Sequence, residues 1–345
     1  MLKFLKKKNL GAALSYGPLE MHWDTEDPFI FASHHRDDYP KGNAQQAPPL
    51  PEISGRNLGR DYQQRLGFRM YNGKVIPGFP MHPHWGYETI SIAMEGYVDH
   101  HDFLGNCGRY GFGDMQWLTA GGMYKHGEMY PLDSSESRNP NDITQIMLNL
   151  PLSEKGCGNS FKIIWNEDVP VVDSEGVSVR VVAGSYGGRT VAAPNGSSWA
   201  SDPAHGVRIL RIVMEPGSSL TLEAVGSKIK RNLYMTEGGT VSFGGDPLAA
   251  PGRFRLPAHA DVVMQNGNAR GVYWLLEGEP IGEKQASYGP VTLGSEKEVR
   301  DALNLLRETD YKDWPWDVID KTQPKGSSRF VRYADGREEH PSGKL

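Results

Sequence analysis

Hydrophobic and polar positions along this chain alternate over short runs, and most runs end in glycine. "ETISIAMEG" (88–96) alternates and is rich in β-branched residues. "YVDHHD" (97–102) follows the turn at Gly96, "LGNCGRYGFGD" (104–114) is glycine punctuation, and "MQWLTAG" (115–121) and "ITQIMLNLP" (143–151) repeat the alternation. Period-two alternation bounded by turn residues predicts half-buried strands, and short strands at such spacing predict a sandwich or barrel. Residues 152–170, with "SEKGCGNS", read as a connection. Beyond it, "VSVRVVAG" (177–184), "VRILRIVME" (207–215), "SLTLEAV" (219–225), "RNLYMTEGGTVSFGG" (231–245), "FRLPAHADVVMQNG" (254–267) and "RGVYWLLEGEP" (270–280) carry the same pattern. "SIAMEGYVDHHD" and "LYMTEGGTVSFG" echo each other as strand, Glu-Gly turn and strand, which fits a duplicated barrel. The expected organisation is all-β, with domains at 1–152 and 170–294 and a helix with a polar tail at 295–345.

The period changes once. In "SEKEVRDALNLLRETDY" (295–311), Val299, Ala302, Leu303, Leu305 and Leu306 make an apolar face at helical spacing, with Ser295 as cap and Glu298 three residues on. The tail "KTQPKGSSRFVRYADGREEHPSGKL" is polar and reads as loosely ordered. "HHRDDYPKGNAQQAPPLPE", with His34 and His35, has the composition of a surface loop.

Composition sharpens this picture. At 345 residues the chain is long enough for two domains with sizeable cores, and 41 glycines with 24 prolines favour a turn-rich β protein. A net charge of −5 and a pI near 6.1 imply no basic face for direct nucleic-acid contact. The one dense basic run, Lys3 with Lys6, Lys7 and Lys8, reads as a solvated tail. Two cysteines, Cys107 and Cys157, are too few for a disulfide framework and too far apart for a Cys-based zinc site, so reduced thiols in a cytoplasmic protein are expected. "LGAALSYG" is too short for a signal-peptide core, and no run approaches the ~20 apolar residues of a membrane span. A soluble protein without a membrane partner is expected.

The candidate chemistry starts at "PGFPMHPHWG" (77–86). Residues i and i+2 of a strand share a face, so His82 and His84 project together if the segment is extended. Pro83 disfavours helix for the residue before it and lacks an N–H, which suits a strand start, an edge or a rim. His126 and Glu128 in "KHGEMYP" repeat the i, i+2 spacing about 40 residues later. Facing strands would unite them as three imidazoles and one carboxylate. That donor set suits iron, and also manganese, nickel, copper or zinc, and in six-coordinate geometry leaves two cis positions open for chemistry. The competing reading is a rim of solvated histidines in a Pro-rich turn.

"FPMHPHWGYETISIAMEGYVDHHDFLGNCGRYGFGDMQWLTAGGMYKHGEM" (79–129) closely resembles the N-terminal domain of pirins. The resemblance continues through "QIMLNLP" (145–151), "VRVVAGSYGG" (179–188) and "LLEGEPIGEKQASYGPVTLGSEKEVRDAL" (275–303), covering most of 65–305. Pirins belong to the cupin superfamily, so it implies two tandem cupin barrels (double-stranded β-helices) with a short C-terminal helix. It also implies one metal, usually iron, in the first barrel only, held at the positions of His82, His84, His126 and Glu128. Glu88 sits where many other cupins place the carboxylate ligand; pirins use the position of Glu128, which makes Glu88 structural or a support to the ligands. His100 and His101 lack an H-x-E context and rank below the four, and His259 stands alone in the second barrel, which is expected to lack a metal. Two positions depart from the family. Pirins commonly read H-P-H-R-G where Trp85 stands here, and T-A-G-R-G-I-x-H where this chain reads "TAGGMYKH", with Gly122 for arginine and Lys125 before the histidine. The charge at the pocket mouth is therefore expected to differ.

Two functions follow from the resemblance. Some pirins resemble quercetinases, which open flavonols with O2 and release carbon monoxide. An iron-dependent dioxygenase of that type would take a flavonol or similar small aromatic together with O2. Glu128 would accept the substrate's hydroxyl proton, and Phe79, Trp85 and Met94 would contact the flat substrate, with Trp117 nearby or in the core. The alternative is a non-enzymatic, redox-sensitive iron protein that regulates a protein partner.

Overall fold

The computed structural model describes residues 8–310 and 312–342; Lys3, Lys6, Lys7 and Tyr311 lie outside them. The chain divides into two compact units. One joins the described residues through Ala32 to Val169–Gly282, and the other joins Ser33–Asp168 to Glu283 and the residues after it. Each unit therefore takes in a terminal segment from the far end of the chain, which the consecutive boundaries expected from the sequence do not anticipate.

In the first unit, a seven-stranded and a four-stranded antiparallel sheet pack together; buried residues alternate in Gly252–Leu256 and Val262–Asn266, while Gly271–Gly278 is buried throughout. Leu210, Ile212, Leu233, Phe254, Trp274 and Leu275 lie in its core. Ser15–Pro18 pairs with Gly252–Leu256, and Trp23 stacks on Tyr234 with ring centroids 4.5 Å apart. Those contacts tie the N-terminal segment to this unit.

The other unit holds the candidate site. Its strands are β1 (Phe29–Tyr39), β2 (Gly78–His84), β3 (Tyr87–Glu95), β4 (Tyr97–Asp102), β5 (Cys107–Gly111), β6 (Asp114–Ala120), β7 (Tyr124–Met129), β8 (Asn139–Asn149), β9 (Ser160–Ile164), β10 (Phe330–Arg332) and β11 (Glu338–Glu339). They form a five-stranded sheet, β9-β6-β3-β8-β1, and a six-stranded sheet, β11-β10-β5-β4-β7-β2. The sheets face each other as in a jelly roll. Ser91 on β3, Gln116 on β6 and Gln145 on β8 all reach across to Glu128 on β7. An apolar cluster that includes Ala93, Val98, Tyr110, Ile143, Ile163 and Trp165 fills the space beside this polar centre.

β2 lies last in its sheet, as its two prolines require, because Pro80 and Pro83 have no N–H to give a second partner strand. Met81 N donates to Ile319 O at 2.8 Å on the outer side, which covers that edge. Gly78 opens the strand at φ +125°, where a Cβ would meet the Glu128 carbonyl oxygen at 2.5 Å, so glycine is required there.

The C-terminal helix runs over Glu296–Thr309, and the Ser295 hydroxyl accepts from Glu298 N at 3.3 Å. Val299 and Ala302 bury against Val291 and Leu293. Among the described residues no helix is long and apolar enough to cross a membrane. Cys107 and Cys157 form no disulfide among the described residues.

Two expectations fail here. The "HHRDDY" segment is not a surface loop: it lies in β1, where His35, Asp37 and Tyr39 are buried on alternate positions. Its polar groups find internal partners. His35 Nε2 bonds the Ser33 hydroxyl at 3.0 Å, His34 Nε2 bonds Asp142 at 3.0 Å, and Asp37 accepts from Tyr71 Oη at 2.5 Å. The tail is not loose either. β10 pairs with β5, Val331 is fully buried, and Arg329 Nη1 donates to buried Asp114 at 2.7 Å.

The tail also encloses His101. Its Nε2 lies 3.1 Å from Gln323 Nε2, and Trp316 meets its ring edge-on at 4.8 Å. Burial, with nearby His100 and Lys321, lowers its pKa from 6.5 to about 3. As pH falls through this window the unfolded chain takes up a proton that the folded chain refuses, so stability falls with pH. The expected result for His101→Gln is a shallower loss of stability between pH 6.5 and about 3. Denaturant melts across that range check it, and an unchanged slope would refute it.

Candidate metal centre

The three histidines predicted from spacing converge. One ligating nitrogen from each of His82, His84 and His126 lies within 4.8 Å of the others. The register of β2 against β7 brings this about, since His82 pairs with His126 and His84 with Tyr124. His84 Nε2 and His126 Nε2 are 2.9 Å apart, and both residues are buried. Burial, chiefly by desolvation, lowers the pKa of all three rings, leaving them as neutral imidazoles. His82 Nδ1 lies 3.0 Å from the Pro80 carbonyl oxygen, which can only accept, so Nδ1 carries the proton and the Nε2 lone pair is free. Neutral, convergent imidazoles, two buried and one half-buried, with a carboxylate beside them are the donor chemistry that a divalent first-row metal requires.

That carboxylate is Glu128. Its Oε2 is 3.7 Å from His126 Nε2 and accepts from Gln145 Nε2 at 3.1 Å. Its Oε1 accepts from Ser91 Oγ at 3.0 Å, Gln116 Nε2 at 3.1 Å and Tyr110 Oη at 3.3 Å. With three donors on Oε1 and one on Oε2, Oε2 is the oxygen left to act toward the histidines. Glu88 lies an odd number of residues from Ser91 and so points to the other face of β3. There its Oε1 accepts from Trp117 Nε1 at 2.9 Å and Thr119 Oγ1 at 2.8 Å. Trp117 is buried core on that face, away from Glu128.

The three expected substrate contacts separate. A bulge in β2 between Phe79 and His82 puts Phe79 opposite Glu128 and beside the histidines, with ring centroids 6.0 Å from His82. Without the bulge, its three-residue offset from His82 would turn it to the opposite face. Trp85 does not join the histidines. Its backbone bridges to Val291 and its side chain packs in the cluster of Val291, Leu293, Val299 and Ala302. Met94 is half-buried at a bulge of β3 between Ala93 and Glu95.

Spacing alone ranks His100 too low. On β4 it pairs with Glu128 across β7, and its Nδ1 lies 3.4 Å from His126 Nδ1. His35 also approaches the aromatic wall of the centre, 6.2 Å from Phe79 and 4.9 Å from Tyr71 by ring centroids. Neither has a local metal-binding motif; the i, i+2 pair His100 and Asp102 is the signal the sequence offers.

Comparison with known proteins agrees with this geometry. The pirin family profile matches residues 14–146, and the pirin C-terminal cupin domain profile matches residues 209–312. Pirin-1 of Arabidopsis thaliana is 31% identical over 239 residues, 66% of this chain and 76% of that protein. The chain belongs to the pirin family. It is therefore a bicupin, and a Pseudomonas aeruginosa relative provisionally named a quercetin 2,3-dioxygenase is 29% identical over 66% of this chain and 76% of its own. A crystal structure of quercetin 2,3-dioxygenase from Acinetobacter baumannii superposes with a TM-score of 0.68, at 20% identity, over 88% of this chain and 99% of that one, and supports the fold.

In this pirin the departures from the usual motifs turn out to be structural. Lys125, next to His126, points to the opposite face of β7 and is buried. Its Nζ donates to Asp313 Oδ1 at 2.6 Å, Asp310 O at 2.5 Å and Thr309 Oγ1 at 3.2 Å, tying β7 to the end of the C-terminal helix. Trp85 packs against the same helix. Gly122 N donates to Asn159 Oδ1 at 3.2 Å. Trp85 and Lys125 thus anchor the C-terminal segment, and the expected recharging of the pocket mouth does not come from Lys125.

Proposed function

We propose that this pirin is a metal-dependent dioxygenase of quercetinase type, acting with O2 on a flavonol or a similar hydroxylated aromatic. The observation that carries the reading is the convergence of three neutral imidazoles on a buried carboxylate with one under-used oxygen. His82, His84, His126 and Glu128 would hold one divalent ion, iron by preference, with manganese, nickel, copper or zinc also compatible with the donors. Such an ion supplies Lewis-acid and redox chemistry toward a bound hydroxyl and O2.

The protein's own part is proton handling and enclosure. Glu128 Oε2 accepts the substrate's hydroxyl proton, while Ser91, Tyr110 and Gln116 hold Oε1 and fix the carboxylate plane. Gln145 bonds both Ser91 Oγ and Glu128 Oε2 at 3.1 Å, and so orients the working oxygen. Phe79 offers the aromatic face beside His82.

An oxygen electrode tests this. Iron-loaded protein with quercetin should consume O2, and Glu128→Gln should slow it on the order of 10²–10⁴-fold while retaining the fold. Absence of O2 uptake by loaded wild type would overturn the quercetinase reading and leave a metal-binding regulator of a protein partner as the alternative.

A further inference from the structure

A line of buried polar groups runs away from His126 on the side opposite its ligating nitrogen. His126 Nδ1 meets His100 Nδ1 at 3.4 Å, and His100 Nε2 meets Asp102 Oδ2 at 3.3 Å. All three side chains are fully buried. His100 is also fixed in plane by Phe161, which stacks on it at 4.2 Å and 11°. Asp102 is held harder still. Its Oδ1 accepts from Leu104 N at 3.0 Å and Asn106 N at 2.9 Å, and its Oδ2 from Asn106 Nδ2 at 2.6 Å and from Tyr124 Oη.

With one proton on each ring, a single arrangement satisfies the line from its fixed end. An ionised carboxylate accepts and does not donate, so His100 carries its proton on Nε2. His100 Nδ1 is then an acceptor, and His126 must supply the proton from its own Nδ1. That leaves His126 Nε2 as a bare lone pair facing His84 and Glu128. In the metal-free 2.9 Å pair His84 then donates from Nε2, and Tyr87 Oη, 2.7 Å from His84 Nδ1, donates to it; His84, unlike His126, moves its proton to Nδ1, with Tyr87 Oη turning to accept it, when Nε2 binds an ion. The polarity is consistent from Asp102 to Tyr87 without an unsatisfied member.

We propose that Asp102 and His100 form a positioning relay that locks His126 in its Nδ1–H tautomer and aims Nε2 at the metal. This rests on the metal-site reading of the three histidines. Neither residue touches the ion or the substrate; each acts through His126. The gain is in preorganisation, because a ligand that carries its proton on the wrong nitrogen must exchange it before it can bind.

Two variants test the relay in the full-length chain. His100→Phe keeps a ring on Phe161 and removes both nitrogens. Asp102→Asn is isosteric and reverses the link to His100, while Asn106 Nδ2 and Tyr124 Oη lose their acceptor at that atom. Its amide would keep accepting from Leu104 N and Asn106 N through Oδ1 and turn a donor toward His100, which must then protonate Nδ1 and oppose His126. The first readout is the ¹⁵N shift pattern of His126 in metal-free protein. The expected result is a proton on Nδ1 in wild type and loss of that preference in both variants. The second is a Co(II) titration followed by its visible absorption. Affinity is expected to fall on the order of 10- to 100-fold in each variant. Asp102→Asn carries the test if His100→Phe fails to fold.

A His126 proton on Nε2 in wild type, or Co(II) affinity unchanged in the variants, would overturn the relay while wild-type Co(II) binding left the metal site standing. Absence of Co(II) binding by wild type would instead remove the metal-site reading, and the relay's purpose with it.

Discussion

Iron-reloaded wild-type protein is expected to retain about one ion per chain, and the His84→Ala/His126→Ala variant close to none. The size of the effect follows from ligand number. A four-ligand zinc site contributes about 10–16 kcal/mol, so an even share is roughly 3 kcal/mol per ligand, and losing two weakens binding by about 10⁴-fold or more. The pair is chosen because the two Nε2 atoms lie 2.9 Å apart and come from the two different strands that build the centre. No rearrangement of the remaining His82 and Glu128 restores three imidazoles. Elemental analysis after gel filtration reads the outcome, and full loading of the double variant would dispose of the assignment. Melting of the metal-free forms separates ligand loss from misfolding.

The convergence of the three histidines on Glu128 is legible in the sequence because it rests on period two. His82 with His84, and His126 with Glu128, share a face in any extended backbone, and Pro83 by itself argues for the edge position that β2 occupies. The capped helix is equally local, with Ser295, Glu298 and the apolar face all within 14 residues of helix and its cap. Parity also turns Glu88 away from the centre, and it turns Trp85 away as well, against the expectation that Trp85 meets the substrate. What parity cannot foresee is the bulge that returns Phe79 to the histidines' face. Register is a property of two strands, and one strand's sequence does not state it.

The segments whose sequence misleads share one cause. Polar composition implies exposure in most domains. This unit inverts the rule by burying polar residues in pairs: Asp37 with Tyr71 and Arg69, His35 with Ser33, Arg329 with Asp114. Key partners are distant along the chain, 34 residues for Asp37 and Tyr71 and 215 for Arg329 and Asp114, so no short window of sequence contains both. The same reasoning explains why spacing ranks His100 low. Its importance comes from β4 lying beside β7, which the residues of β4 do not reveal.

The second large effect is expected at Arg109, where burying charge in pairs has its greatest consequence. Arg109→Leu should destabilise this unit by about 3–5 kcal/mol and release the tail that follows the C-terminal helix. The guanidinium forks across Asp99 at 2.7 and 2.9 Å, reaches Asp133 Oδ1 at 2.9 Å and Gln46 Oε1 at 2.9 Å, and both Arg109 and Asp99 are fully buried. Asp99 also accepts from Gln323 N at 2.8 Å, so one carboxylate links β4 and β5 to the tail. Even with Arg109 in place, burial pushes the Asp99 carboxyl above its ordinary pKa, despite the opposing pull of Arg109 and Gln323. Without the cation, Asp99 must either stay charged in a dry site, which costs stability, or bind a proton, which weakens its hold on Gln323. Leucine cannot replace the bonds to Asp133 and Gln46, so these also lose a partner. Denaturant unfolding measures the stability loss, and limited proteolysis reads tail release, with cleavage expected beyond residue 312 in the variant and not in wild type. Adding Asp99→Leu to Arg109→Leu should recover part of the stability, because the unpaired charge is then gone. A loss below about 1 kcal/mol with an intact tail would show that the pair contributes no more than a surface ion pair and that other contacts hold the C-terminal segment.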